Sequence, residues 1–278
     1  MERPKYLLDM PADEYHAATK RNEYTTSHRL NLFRKCPALY KKVIDGEIVE
    51  GDTAAFQLGR ATHTLIIEGK EKFDAEYTVS DGPINPKTGA AYGRLTKAYQ
   101  EWAAQQPKPV ISSEDFALIE KMRTAVRAHA VAADILSQGF AEGTVRTEWD
   151  GEPVQARLDW FDPERGILTD LKTCADIDRF QYDIRDFGYV TQMAFYAKCI
   201  GLADPALALS KVYLIAVEKK EPYRVAVVEF FPMTLVDGNE VDRLPAKFGI
   251  GNDVCIRELR DCRETGVWPT RYEQVIRM

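Results

Sequence analysis

Three short strand-forming runs, 143–149, 154–161 and 167–172, follow one another with only turns between them: Asp150-Gly151, then Asp162-Pro163-Glu164-Arg165-Gly166. An Asp-Gly pair between such runs favours a tight hairpin whose twist matches its strands, so neighbours must be antiparallel. Helical signals lie on both sides of this meander. Upstream, 113–138 repeats apolar side chains at three- and four-residue steps, at Phe116, Ile119, Met122, Val126 and Ala130. Downstream, 178–186 and 189–202 read as helices, followed by two more strands, 211–217 and 224–231, around a Lys-Lys-Glu-Pro turn. Helices, a meander, helices and a hairpin predict an α/β (α+β) chain with a central mixed sheet flanked by helices.

The N-terminal part predicts a short helix from Pro11, where proline suits a first turn. Ser27 is the expected N-cap of a basic helix, HRLNLFRKCPALYKKV, which Pro37 should kink or split. A third helix is expected from Asp52 to Gly69, a mobile turn-rich loop over 81–93, a helix over 94–105, and a last helical region over 239–263. No internal repeat interrupts this order, and the length fits one domain over 1–278. It would comprise a helical part to about 140, a sheet-bearing part over 141–232 and a C-terminal helical part over 233–278.

Acids outnumber bases 43 to 37, giving a net charge of −6. That counts against a protein that merely coats nucleic acid, yet carboxylates that hold a metal would add to it. No run of about 18 apolar residues is present, so no membrane association is expected. The first residues do not read as a secretory signal, and five cysteines without a CxxC pair do not suggest a disulfide scaffold. A cytoplasmic protein is expected. The absence of a GxxxxGK[ST] loop argues against ATP-driven action.

The sharpest chemistry lies in ARLDWFDPERGILTDLKT. Asp170 and Lys172 are two apart on one strand and share a face. The hairpin turn would bring Asp159 of the preceding strand beside Asp170. Two carboxylates that close repel unless a cation sits between them or one is protonated, and Mg2+ is the hard ion that suits oxygen ligands. Lys172 could then activate water or stabilise charge developing on a phosphate. Upstream, Gly59 and His63 lie one helical turn apart. Downstream, Tyr189, Gln192 and Tyr196 fall at i, i+3 and i+7 along one stripe.

GxxxH on a helix, then Asp, then Asp-x-Lys, then QxxxY on the next helix resembles the RecB-like branch of the PD-(D/E)xK nucleases, with their restriction-endonuclease-like fold. TTSHRLNLFRKCPALY and the terminal GVWP resemble a narrower group, the RecE-type phage and prophage exonucleases (the C-terminal nuclease domain of exonuclease VIII). The resemblance covers nearly the whole chain. It implies that Asp159 and Asp170 bind metal, that His63 is a further ligand, and that Leu171 adds its backbone carbonyl. Lys172 would orient or deprotonate water, with Gln192 and Tyr196 bracing the site and contacting DNA phosphate. Tyr189 is grouped with them as a DNA contact. The family's proline is missing before Asp159, and Asp170 stands where many relatives carry glutamate.

The resemblance further implies Mg2+ as cofactor, with Mn2+ substituting, and linear double-stranded DNA as substrate. It implies 5′ to 3′ digestion that leaves 3′ tails, a single-strand annealing partner of RecT type, and a ring-shaped homo-oligomer, a tetramer rather than a trimer. Beside such a site, Ser27 at a helix N-terminus and the basic strip Arg29, Arg34, Lys35, Lys41 and Lys42 become candidates for a 5′ phosphate. Arg94 and Lys97 are weaker candidates, and Glu148 is set aside as a strand-end charge. Two alternatives stand: an iron–sulfur RecB-like nuclease, for which Cys36, Cys255 and Cys262 are one thiolate too few, and a catalytically degenerate DNA-binding or assembly protein.

Overall fold

The computed structural model describes residues 1–49, 51, 53–240 and 250–273. A two-residue strand, β1 (Leu7–Leu8), precedes α1 (Ala12–Lys20), which starts directly after Pro11. The basic segment forms two helices, α2 (Ser27–Lys35) and α3 (Pro37–Ile44), divided where Pro37 opens the second. Cys36 caps α3, its sulfur accepting from the Leu39 amide. The cap of α2 is Thr26, whose hydroxyl accepts from the Arg29 amide; Ser27, expected in that role, is instead the first helical residue.

Next comes α4 (Ala54–His63), capped by Thr53; the expected start at Asp52 lies outside the described residues. The helix reaches Gly69 as the sequence indicates, but its last stretch, Thr64–Glu68, is wound as a π-helix. The segments α5 (Lys70–Glu76), β2 (Thr78–Val79), α6 (Lys97–Ala103) and β3 (Val110–Ile111) follow. Of these α6 falls within the helix expected over 94–105, whereas α5, β2 and β3 are not among the expected elements. The expected helix over 113–138 breaks at His129 into α7 (Ser113–Ala128) and α8 (Ala130–Ile135), His129 Nδ1 capping the second.

The meander is β4 (Phe140–Trp149), β5 (Glu152–Asp162) and β6 (Ile167–Cys174). Asp150 and Gly151 both take positive φ, as a primed hairpin turn requires. Then come α9 (Phe180–Asp186), α10 (Tyr189–Ala203), β7 (Lys211–Glu218), β8 (Val225–Glu229), α11 (Pro232–Glu240) and α12 (Asn252–Thr265). Thus α11 begins before the expected 239, and 241–249 of the expected helical region lie outside the described residues.

The sheet order is β1-β4-β5-β6-β7-β8. Among the described strands of this sheet, β6 and β7 are the parallel pair, because α9 and α10 carry the chain across between them; β2 and β3 form a separate parallel pair. One face is covered by α2, α3, α10 and α12 through Phe33, Tyr40, Phe195 and Leu259. The other is covered by α4, α7 and α8 through Ala61, Ile119, Met122 and Ile135, packed on Leu171, Ile215 and Val217. Alternate residues of β6 therefore serve opposite layers.

The basic strip is not a strip. Arg29 and Arg34 are buried, while Lys41 pairs with Asp45 and Lys42 with Glu47. Arg34 Nε donates to the Ile250 carbonyl at 2.7 Å and Nη2 to Asn252 Oδ1 at 2.6 Å, tying α2 to the start of α12. Arg34→Ala is expected to cost about 2–3 kcal/mol of unfolding free energy, as loss of charged hydrogen bonds to buried acceptors does. A urea melt reads it; an unchanged midpoint would mean that α12 is held without this brace.

Candidate active site

The β5–β6 ladder has three rungs: Asp162↔Ile167, Phe161↔Leu168 and Trp160↔Thr169. The next would join Asp159 to Asp170, and there the strands part. Asp159 Oδ2 accepts from the Leu171 amide at 2.8 Å, so a side chain replaces the ladder. Meanwhile β6 stays paired with β7 along its length. The carboxylates therefore sit in a fork held rigid on one side.

On the other edge of β5, Ala141↔Trp160 and Gly143↔Leu158 are paired, and the rung between them, Glu142 opposite Asp159, is missing. Pleat alternation slips at this point in both strands. Leu158 and Phe161 enter the same core three residues apart, and Val145 and Phe140 do so five apart. Glu142 takes a left-handed backbone, φ +50°, which costs a non-glycine residue about 1 kcal/mol. Gly143 beside it has no room for a side chain, since a Cβ would lie 2.5 Å from Leu7 of β1. Such breaks re-aim side chains. Here ligand atoms of His63, Glu142 and Asp159 all come within 4.8 Å of one another.

His63 ends α4, just before the π-helical stretch, and its Nδ1 lies 3.1 Å from Asp159 Oδ2. A Cβ at Gly59, one turn earlier, would meet only open space. Asp170 is 1% exposed. Its Oδ1 accepts from Gln192 Nε2 at 3.0 Å. Its Oδ2 lies 2.7 Å from Lys172 Nζ, but out of line for a hydrogen bond, and is otherwise without a donor. Gln192 Nε2 also donates to the Tyr196 hydroxyl at 3.0 Å. Lys172 Nζ sits 4.7 Å above the centre of the Tyr189 ring.

Each carboxylate has its own cationic partner: Glu142 with Arg157, Asp159 with His63, Asp170 with Lys172. Burial, then the charge of Asp159, pushes Asp170 up to about 6 and Glu142 to about 7. Burial would raise Asp159 too, but His63, Lys172 and the Leu171 amide together hold it below the usual carboxylate range. Burial alone would lower His63, yet Asp159 carries it to about 9. Burial likewise opposes the charge on Lys172, and Asp170 and Asp159 raise it regardless.

Besides Lys172, whose rise begins above 10.5, three of these groups bind protons more tightly folded than unfolded. Asp170 does so between its ordinary 3.8 and about 6, Glu142 between 4.5 and about 7, and His63 between 6.5 and about 9. Without divalent metal, stability should fall as pH rises from about 5 to about 9. Asp159→Asn, which removes the charge common to all three, should flatten that slope. Thermal melts across the range check it; a melting temperature that climbs with pH would contradict it.

The family described as a PDDEXK-like domain of unknown function (DUF3799) matches residues 27–275. The chain belongs to this family. Its fold is that of the PD-(D/E)xK nucleases. The crystal structure of a proposed exonuclease from Eubacterium rectale is similar, with a TM-score of 0.65 at 13% identity, over 98% of this chain and 96% of that one. No curated protein matches the sequence.

Within this PDDEXK-like domain, the structure brings together His63, Asp159, Asp170, Lys172, Gln192, Tyr196 and Tyr189. Tyr196 is buried behind Gln192 and not on an open surface. The Leu171 side chain lies in the core on the opposite layer, with its amide on Asp159. Ser27, Arg29 and Arg34 are buried in α2. Arg94 pairs with Asp115, and Lys97 with Glu101. Glu148 is exposed near the hairpin turn.

Glu142 and its partner Arg157 escape the sequence reading, which starts the strand at Gly143. A signal for Glu142 exists: counting outward from Asp150-Gly151 pairs Trp149 with Glu152, and by the same register sets Glu142 against Asp159. Among the described residues, no group of three thiols approaches metal-binding distance; Cys36 caps α3 and Cys255 and Cys262 are buried on α12. No described helix is long and apolar enough to cross a membrane.

Proposed function

We propose that the protein is a divalent-metal-dependent, ATP-independent exodeoxyribonuclease acting on linear double-stranded DNA. The observation that carries this reading is the convergence of His63, Glu142 and Asp159 at the strand fork, with the Asp170–Lys172 pair beside them. One imidazole nitrogen among carboxylate oxygens suits Mg2+ and Mn2+. Asp170 Oδ2 is buried with the Lys172 ammonium 2.7 Å away and out of line for a hydrogen bond, so it keeps a lone pair that a metal ion would take. His63, Glu142, Asp159, Asp170 and, from the resemblance, the Leu171 carbonyl would hold the ion. The chemistry such an ion supplies is polarisation of the scissile phosphoryl group and activation of water.

The chain's own groups divide the remaining work. Lys172, kept as an ammonium by Asp170 and Asp159, orients water and stabilises negative charge on the phosphoryl oxygens; a group held protonated at neutral pH does not act as a base. Gln192 fixes the rotamer of Asp170, and Tyr196 fixes Gln192. Tyr189 supports the ammonium from below. The His63 imidazolium must give up a proton before it can serve as a ligand, so metal affinity would rise with pH up to about 9.

The RecE-type resemblance supports 5′ to 3′ polarity, 3′ tails, a RecT-type annealing partner, a ring-shaped assembly and a cytoplasmic setting. Linear duplexes labelled at the 5′ or the 3′ end, digested beside a closed circle, test the reading. The 5′ label should be released first and the circle should survive. A circle cut as fast as the linear form would make the enzyme an endonuclease.

A further inference from the structure

Phe187 lies at the C-terminal end of α9 and is 62% exposed. Scattered exposed apolar side chains are ordinary, so exposure alone says nothing. Its neighbours do. Its ring centre is 5.8 Å from that of Tyr189, and Tyr189 is the ring beneath Lys172 Nζ. Phe180, buried at the start of α9, flanks Tyr189 of α10 at 6.2 Å. Phe187 is thus the solvent-facing end of an aromatic series whose inner end is the Asp170–Lys172 pair. These steps place its ring within about 10 Å of Lys172 Nζ, a reach of about three nucleotide rises along one strand.

The turn that presents it is held firmly. Gly188 adopts φ +70°, and a Cβ there would press to 3.3 Å on Asn31 and Thr191. The single Thr191 hydroxyl proton lies between two acceptors, the Gly188 carbonyl at 2.9 Å and Asn31 Oδ1 of α2 at 3.1 Å, so the turn packs against α2. Before Phe187, Arg179 stands at the N-cap of α9 and Arg185 lies within it, interspersed with Asp183 and Asp186. That mixed sign makes a poor phosphate track. A rigid, exposed, uncharged ring next to a phosphodiester site fits the apolar face of a nucleobase better, and base–aromatic stacking is the sequence-tolerant contact by which single strands are gripped.

We propose that Phe187 is a stacking platform for a base of the strand whose phosphate is held at Asp170 and Lys172. The inference rests on the nuclease reading above, and it adds a substrate contact at a residue outside the family motifs. Removing the platform should weaken DNA binding about tenfold, the scale of one lost base–aromatic stack.

The test is a cycle between protein and DNA. Wild type, Phe187→Ala and Phe187→Trp are titrated in EDTA, by fluorescence anisotropy, with a 5′-labelled oligonucleotide and with matched oligonucleotides carrying one abasic site at successive positions from the 5′ end. Wild type should lose about tenfold affinity at one abasic position. Phe187→Trp should keep that penalty, and Phe187→Ala should bind all the oligonucleotides with the same, weakened affinity. If Phe187→Ala weakens binding but still shows the full abasic penalty, the ring is only structural and the proposal falls. If its affinity matches wild type throughout, the proposal also falls, while the nuclease reading stands. If wild type binds none of the oligonucleotides, the stacking proposal falls, while the nuclease reading, which concerns a metal-loaded site on duplex DNA, is decided by the digestion of the labelled linear duplexes.

Discussion

Asp170→Asn is expected to reduce phosphodiester hydrolysis by about a thousandfold or more, the scale at which preorganised charge stabilisation is lost, while leaving the protein folded. Asparagine keeps the shape of the side chain and an oxygen for Gln192 Nε2, so the link from α10 survives. What disappears is the negative charge on the oxygen that lacks a hydrogen-bond donor. Fold stability should not suffer. In the metal-free protein that charge is disfavoured by burial and by Asp159, which push Asp170 up to about 6. Its removal relieves repulsion, and this offsets the ion pair withdrawn from Lys172. The melting temperature near neutral pH, without metal, should therefore stay level or rise. Hydrolysis at the wild-type rate by folded Asp170→Asn protein in saturating Mg2+ would take the residue out of the metal site.

Lys172→Ala should slow the chemical step by about a hundredfold or more and change DNA affinity only a few-fold. The ammonium is enclosed by Asp170 on one side and the Tyr189 ring on the other, and its charge is fixed by neighbouring carboxylates. A group so confined acts on the one phosphate at the fork and adds little to the general attraction along the backbone. Single-turnover rates, measured beside equilibrium binding, separate the two effects. Unchanged single-turnover cleavage together with weakened binding would reduce Lys172 to a phosphate clamp.

The meander and the placement of Asp159, Asp170 and Lys172 were legible because local rules govern them. Asp150-Gly151 sets one hairpin, a short turn sets the next, and a two-residue period puts Asp170 and Lys172 on one face of β6. The stripe Tyr189, Gln192 and Tyr196 follows from helical period alone. The place of Glu142 opposite Asp159 can be counted out from the Asp150-Gly151 turn, but its approach to the site was not legible, because that depends on a break in the pleat shared by two strands and on a left-handed backbone that strand propensity argues against. The inward turn of Arg34 was hidden for a different reason: its acceptors, Ile250 and Asn252, are more than two hundred residues away in sequence. The fork itself is a long-range effect. It requires β6 to stay paired with β7, delivered by the α9–α10 crossover, while β5 peels away.

The central claim is that the cluster at this fork hydrolyses DNA with the help of a divalent ion. Its most direct test is release of acid-soluble nucleotides from linear duplex DNA by the purified protein, first stripped with EDTA and then given Mg2+. The account predicts no release after stripping, and full recovery on adding Mg2+ to wild type but not to Asp170→Asn. Equal release with and without the ion, or none from folded wild type in any divalent metal, would contradict it.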